Sequence, residues 1–226
     1  MANFEVLDPA KHAEVKVEPG AAMSESHLVP VLATELGKAA LHYPIVLVKN
    51  PDTGEFGLFA LMGLRPGENL FFSADAGAAG GYLPLDLQRQ PFLVVRGGSE
   101  GSGAIAIDLD HPKVGTSDGA SIFAGDQPLI LRVQPVLKAV MSGIAPTQAL
   151  IAAALEHDLV KAGEIAVSDP AGAFTLRDFY TLDQQAMGAL SGETLAALNA
   201  KGQLLALHLI LASMGNVERL MSLRQQ

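Results

Sequence analysis

The chain has 226 residues, 49% of them hydrophobic and 17% charged, with no cysteine and a formal net charge of −9. This composition excludes an intrinsically disordered chain, and the missing cysteine excludes disulfides, thiolate zinc sites, iron–sulfur clusters and a cysteine nucleophile. The acidic balance, with no cluster of Lys or Arg, speaks against nucleic acid as a partner.

The N-terminus has no basic start ahead of an apolar run, so no secretory signal peptide is read there. No uninterrupted run of about 18 apolar residues marks a transmembrane segment. A cytoplasmic location is the resulting expectation, with export to the cell surface without an N-terminal signal as the alternative. Val15 to Glu18 reads as a short strand closed by Pro19-Gly20. Leu28, Leu32, Leu36, Ala39 and Ala40 recur at helical spacing and predict an amphipathic helix over 28–42, capped by Ser24 or Ser26, with Pro30 in its first turn. Pro44 to Lys49 and Phe56 to Leu64 predict a β-hairpin turned at Asn50–Gly54. Arg65-Pro-Gly67 breaks it, and Glu68 to Phe72 reads as a third strand. Gly77 to Gly81 is a loop, and Tyr82 to Arg89 one short helical turn. Phe92 to Arg96 and Ala104 to Asp108 form a second hairpin around a Gly/Ser loop. Asp110 to Gln127 is loop-like.

Beyond residue 127 the periodicity turns helical. Leu129, Val133, Leu137 and Val140 predict one helix, delayed or kinked by Pro135. Ala145-Pro-Thr147 starts another that runs to about Asp158. Glu164 to Ser168 and Ala173 to Arg177 predict a third hairpin. Asp183 and Ser191 cap two short helices, Lys201-Gly202 is a stop, and Gln203 to Met214 is a buried helix ended by Gly215-Asn216. Val217 to Leu223 adds a last helical segment. Strands then helices argue an α+β fold, with antiparallel hairpins in the N-terminal half packed with a mainly helical C-terminal half. The chain reads as a single domain over 1–226, subdivided into a β-rich part, 1–127, and a helix-rich part, 128–226.

No motif for chemistry is complete. None of the six histidines, His12, His27, His42, His111, His157 and His208, stands three or four residues from another. Asp108-Leu-Asp110-His111 is the densest group of metal-ligand types, and its plainer reading is solvated acids at a strand end, so no metal site is assigned. Gly98-Ser-Glu-Gly101 and Gly101-Ser-Gly103 fall short of a nucleophile elbow and lie in a hairpin loop. The run Gly63–Phe71 places Arg65, Glu68 and Asn69 in a turn between strands, where Arg65 could grip a carboxylate or phosphate. The plainer reading is a Pro66-Gly67 turn whose polar residues satisfy loop backbone. Tyr43, Tyr82 and Arg89 complete this candidate ligand site. His208, on the most apolar helix, reads as a core histidine bonded to a backbone carbonyl, or as a proton-transfer group.

Several segments carry a resemblance in their order: His27-Leu-Val-Pro30, Tyr43-Pro-Ile-Val-Leu-Val-Lys49, Leu61-Met-Gly-Leu-Arg-Pro-Gly-Glu-Asn-Leu-Phe71, Gly81-Tyr-Leu-Pro84 leading to Gln90-Pro-Phe92, and Ser213-Met-Gly-Asn-Val-Glu-Arg-Leu220. Together they resemble the bacterial SapC family, an S-layer-related group, over nearly the whole chain. The chain departs from the family's pattern between 111 and 145. The resemblance hands over no catalytic residue and no cofactor. It implies a place in the uptake or modification of a nutrient, or a surface role. Three readings follow. The first is a soluble accessory protein that binds a small-molecule ligand. The second is a surface or assembly component. The third is an enzyme using Glu68 or His208 as its acid–base group. A mean hydropathy of +0.29 with Ala/Leu-rich final helices also suggests a homo-oligomer.

Overall fold

The structure is a computed structural model, and it describes residues 3–18, 26–73, 77–78, 81–96, 103–115, 119–169 and 172–224. The fold is α+β, and every strand pair among the described residues is antiparallel. The chain divides into two compact units, one from Met1–Ala22 with Leu85–Ser142 and the other from Met23–Pro84 with Gly143–Gln226.

In the first unit, β1 (Phe4–Val6), β9 (Gly103–Asp108) and β8 (Phe92–Arg96) form a sheet in the order β1-β9-β8. The β8–β9 hairpin is the one expected from the sequence, and its Gly/Ser loop lies outside the described residues. β2 (Lys16–Val17) pairs with β10 (Ala120–Ser121), a strand inside a stretch that reads as loop in the sequence. α2 (Leu85–Gln88) is the short turn of helix expected after Tyr82. Val17, Phe92, Ile107, Ile122, Leu129, Val133 and Leu137 make this unit's core.

The second unit is built on a five-stranded sheet in the order β11-β12-β4-β5-β3. β4 (Ile45–Lys49) and β5 (Phe56–Leu61) are the expected hairpin. Asn50 turns it, its side-chain oxygen accepting from the Asp52 and Thr53 N–H groups at 2.8 and 3.2 Å. The helix expected over 28–42 is not there as a whole. Leu28–Pro30 is β3, and only a 3-10 turn, Ala33–Glu35, and α1 (Leu36–Ala39) are helical. Proline pushes the residue before it toward extended backbone, so Val29-Pro30 favours the strand, and Leu28 and Leu32 keep helical spacing without being helical. Pro30 therefore ends a strand instead of opening a helix. Ser26 caps nothing: its hydroxyl donates to the Leu28 carbonyl, and Ser24 lies outside the described residues. The Glu35 carboxylate takes the Leu32 N–H at 2.9 Å, and the Thr147 hydroxyl takes the Ala33 N–H at 2.8 Å. The strand expected at Glu68–Phe72 is mostly loop, with strand only at β6 (Phe72–Ser73), which pairs with β7 (Gly77–Ala78) where a loop is expected.

The C-terminal half brings a second departure. Two helices are expected around Pro135 and Pro146, but a single helix, α3, runs from Leu129 to Glu156 over 28 residues. Both prolines sit on its exposed side. A proline strips hydrogen bonds from the preceding turn, and here the Thr147 hydroxyl donates to the Gly143 carbonyl at 2.6 Å. β11 (Val160–Asp169) and β12 (Gly172–Leu182) extend the third hairpin beyond its expected ends. α4 (Gln184–Gly188) and α5 (Gly192–Ala200) start at the expected caps, Asp183 and Ser191. α6 (Gln203–Ser213) is not ended by Gly215-Asn216. It continues through a 3-10 turn, Met214–Asn216, into α7 (Val217–Arg224). Two stretches, Leu129–Glu156 and Gln203–Arg224, are long and apolar enough to cross a membrane on length and composition, with 33% and 22% of their most apolar windows buried. Polar residues such as Gln148 and His208 interrupt these runs, so the stricter sequence criterion passes over them. Core helices of soluble proteins meet the same looser test.

Two glycines separate space from strain. A Cβ on Gly63 would stand 2.1 Å from the Glu68 carbonyl oxygen, whereas one on Gly37 meets nothing within 4 Å. Gly63→Ala should cost at least about 2 kcal/mol. Gly37→Ala, on the exposed face of α1, should be neutral or stabilise by up to about 1 kcal/mol. Urea denaturation of the two variants beside the parent protein checks both.

Candidate functional site

The turn after β5 is closed from both ends by backbone. The Met62 N–H reaches the His27 carbonyl at 2.7 Å, and the Leu70 N–H reaches the Met62 carbonyl at 2.8 Å. Within it, the Glu68 N–H returns to the Arg65 carbonyl at 3.2 Å, and Gly67 has φ +80°. Proline then glycine with positive φ at the two central positions is the chemistry of a type II turn, as the sequence suggests. The Glu68 carboxylate accepts the Leu64 N–H at 2.6 Å. It also accepts from Nη1 of Arg224, at the end of α7, at 2.7 and 2.9 Å. Asn69 takes the Phe71 N–H at 3.1 Å and donates to the Met62 sulfur at 3.6 Å. The polar residues of the turn thus hold its shape.

Tyr43 is fully buried. Its ring meets Phe71 edge-on at 4.8 Å, and its hydroxyl donates to the Tyr82 carbonyl. Burial pushes the Tyr43 hydroxyl up to about 12, against the pull of Arg219, whose guanidinium lies over Phe71. The Tyr82 hydroxyl donates to Glu35 at 2.8 Å. Burial and the adjacent carboxylate raise its pKa well above the ordinary value. Both tyrosines are therefore neutral structural donors. Glu35, a buried carboxylate, escapes sequence reasoning because it sits three residues past a leucine and not past a capping Ser or Thr.

Arg65 is different, because it lines a cleft of about 480 Å³. His27 and Leu28 with Leu61, Leu64, Arg65 and Pro66 form one side of its lining, and Phe174–Phe179 of β12 form the rest. The Arg65 guanidinium stacks on the Phe174 ring at 4.6 Å, and that of Arg224 lies over the same ring at 5.4 Å. Stacking fixes the plane of a guanidinium while its N–H groups point outward from the edge. Phe174, Arg224 and His27 carry no signal in the sequence that links them to Arg65, since their proximity is made by the sheet and by α7. Burial holds the His27 imidazole below its usual pKa despite the opposing pull of Glu68.

Of the six predicted site residues, Arg65, Glu68 and Asn69 share one turn, with Tyr43 and Tyr82 linked to it through Phe71. Arg89 belongs to the first unit, where it pairs with Asp86 at 2.5 Å and donates to the Phe92 carbonyl at 3.0 Å. His208 is not a core residue. It is exposed on α6 with Nδ1 2.8 Å from the Leu204 carbonyl, because the buried face of that helix passes through Leu207 and Ile210. Asp108 ends β9 and accepts the Asp110 N–H at 3.2 Å.

The segments that carry the family resemblance, apart from Gln90–Phe92, lie in this second unit. Besides the contacts above, the Ser213 hydroxyl accepts the Ile45 N–H at 2.8 Å, and Asn216 donates to the Ala40 and Tyr43 carbonyls at 2.8 and 3.3 Å. The sequence model of the SapC family matches residues 7–220. The chain belongs to the SapC family. No curated protein and no solved structure is significantly similar to it. The SapC-family match thus covers both units, including the turn, the cleft and the first half of α7.

The depressed pKa of His27 fixes the sign of one pH effect. The unfolded chain takes up the proton first, near the ordinary histidine value of 6.5. The contribution of His27 to stability is therefore present above that value and is lost as pH falls toward the lower folded pKa. Urea midpoints should drop from about pH 7 to about pH 5, and His27→Gln should flatten the drop. An unchanged pH profile in that variant would contradict the assignment.

Proposed function

We propose that this SapC-family protein is a ligand-binding accessory protein, and that its small-molecule ligand occupies the cleft beside Arg65. The observation that carries the reading is the cleft itself, with Leu28, Leu61 and Leu64 in its lining and a guanidinium stacked on Phe174. A volume of about 480 Å³ falls in the range that small-molecule sites occupy. Mostly apolar walls whose charged residues are Arg65, Arg177 and Asp178 favour a ligand with an apolar body and one anionic group. The family resemblance supports a setting in nutrient uptake or modification.

The enzyme alternative draws little from the geometry. Glu68 is spent on Leu64 and Arg224, and the exposed His208 bonds within its own helix. The surface-assembly alternative draws on the exposed side chains of Met141, Ile144 and Leu155 on α3 and of Leu205 on α6, which would have to meet a second copy.

Anilinonaphthalene sulfonate, an apolar anion that fluoresces when shielded from water, tests the cleft. Arg65→Ala and Leu28→Glu should each weaken its binding by about tenfold. Leu205→Glu, on the exposed surface of α6, should leave it unchanged. Equal loss in all three variants, or none in the first two, would contradict the reading.

A further inference from the structure

We propose that the cleft takes an extended peptide segment, which adds as a strand to the open edge of β12. This names the ligand class of the site proposed above and rests on that reading.

The first observation is a matter of period. Successive side chains of a strand point to opposite faces, so a cleft lying over one face would touch every second residue. Here six consecutive residues, Phe174 to Phe179, line it. The cleft therefore follows the edge of the strand, where backbone N–H and C=O groups point outward.

The second observation is which edge is open. On one side β12 is paired with β11 along the whole ribbon, from Asp169↔Gly172 to Val160↔Leu182. On the other side it meets β4 at a single pair, Tyr180↔Leu47. Among the described residues no strand covers that edge before Tyr180. The reason lies in the ribbon. The register shifts between Gly163 and Ile165, and Asp178 has φ +66°. An extra residue of this kind bends a strand and ends its pairing. Uncovered edge groups need a partner, either water or another chain. At about 3.3 Å per residue, six residues offer an edge of roughly 20 Å, enough for about five or six residues of added strand.

The facing wall states what such a peptide should carry. Leu28, Leu61 and Leu64 suit apolar side chains, and Arg65, held flat on Phe174, suits a carboxylate. The carboxylate is the C-terminus of a free oligopeptide, since a cleft of about 480 Å³ has the size of a small-molecule site. A fatty carboxylate would use the same wall and leave the strand edge unused, which is the distinction to test.

The full-length protein is screened against hexapeptides, each with a blocked and with an unblocked C-terminus, in which Val, Leu or Phe alternates with other residues. The best binder is remade with N-methyl groups on its odd or on its even amides. Strand addition requires that one set lose binding by at least about tenfold and that the other keep it. It also requires that hydrogen exchange slow for amides within Phe174–Phe179 when the peptide binds. Unblocking the C-terminus should tighten binding by at least about tenfold, and equal binding by the blocked and unblocked forms would overturn the free oligopeptide as occupant. Equal tolerance of both methylated sets would overturn the proposal. So would failure of every hexapeptide while the sulfonate probe still binds in a manner sensitive to Leu28→Glu, and this result would leave the cleft reading intact. Failure of the sulfonate probe as well would remove both.

Discussion

The geometry of the second unit depends on one ion pair. Glu68 lies in the turn after β5 and Arg224 at the last turn of α7, and their side chains are 22% and 12% exposed. At that exposure the pair is worth more than a surface salt bridge and is costly to break from one side, on the order of 1–3 kcal/mol. The same carboxylate also holds the Leu64 N–H, so one side chain fixes the turn and docks the helix. The Arg224 guanidinium then lies over Phe174, and Arg65, three residues before Glu68, stacks on that ring as well. The charge that faces the cleft is therefore positioned by a group that does not line it.

Behind this clamp is a layer of satisfied polar groups. Tyr43, Tyr82 and Glu35 form hydrogen bonds within the unit, and Ser213 and Asn216 bring the α6–α7 run onto β4 and α1. A buried polar group without a partner costs more than its bond returns, so this layer specifies one packing of the helices on the sheet. It also removes the tyrosines from chemistry: two hydroxyls with raised pKa values are poor proton carriers near neutral pH. The cleft beside Arg65 has mostly apolar walls with Arg65, Arg177 and Asp178 among its lining, which is the composition of a binding site.

Local signals in the sequence were read correctly where they are self-contained. The hairpins, the turn at Pro66-Gly67 and the caps at Asp183 and Ser191 depend on a few neighbouring residues. Misreadings arose where distant residues decide. Leu28, Leu32 and Leu36 imitate a helix, but pairing with β5 makes Leu28–Pro30 a strand. Pro135 and Pro146 look like breaks, yet α3 runs through both and Thr147 serves a carbonyl beside the second. His208 lies among leucines in sequence but on the outward face of its helix. The site was half legible: Arg65 and Glu68 stand out in a Pro-Gly turn, while Phe174 and Arg224 lie more than a hundred residues away and join them only through β12 and α7. Arg89 falls in the other unit.

The Glu68–Arg224 pair holds the turn and α7 together. A double-mutant cycle with Glu68→Gln, Arg224→Met and the double variant, read by urea denaturation, measures it most directly. The expected coupling is about 1–2 kcal/mol. A coupling within about 0.3 kcal/mol of zero would contradict it, leaving Arg65 without the support that places it on the cleft.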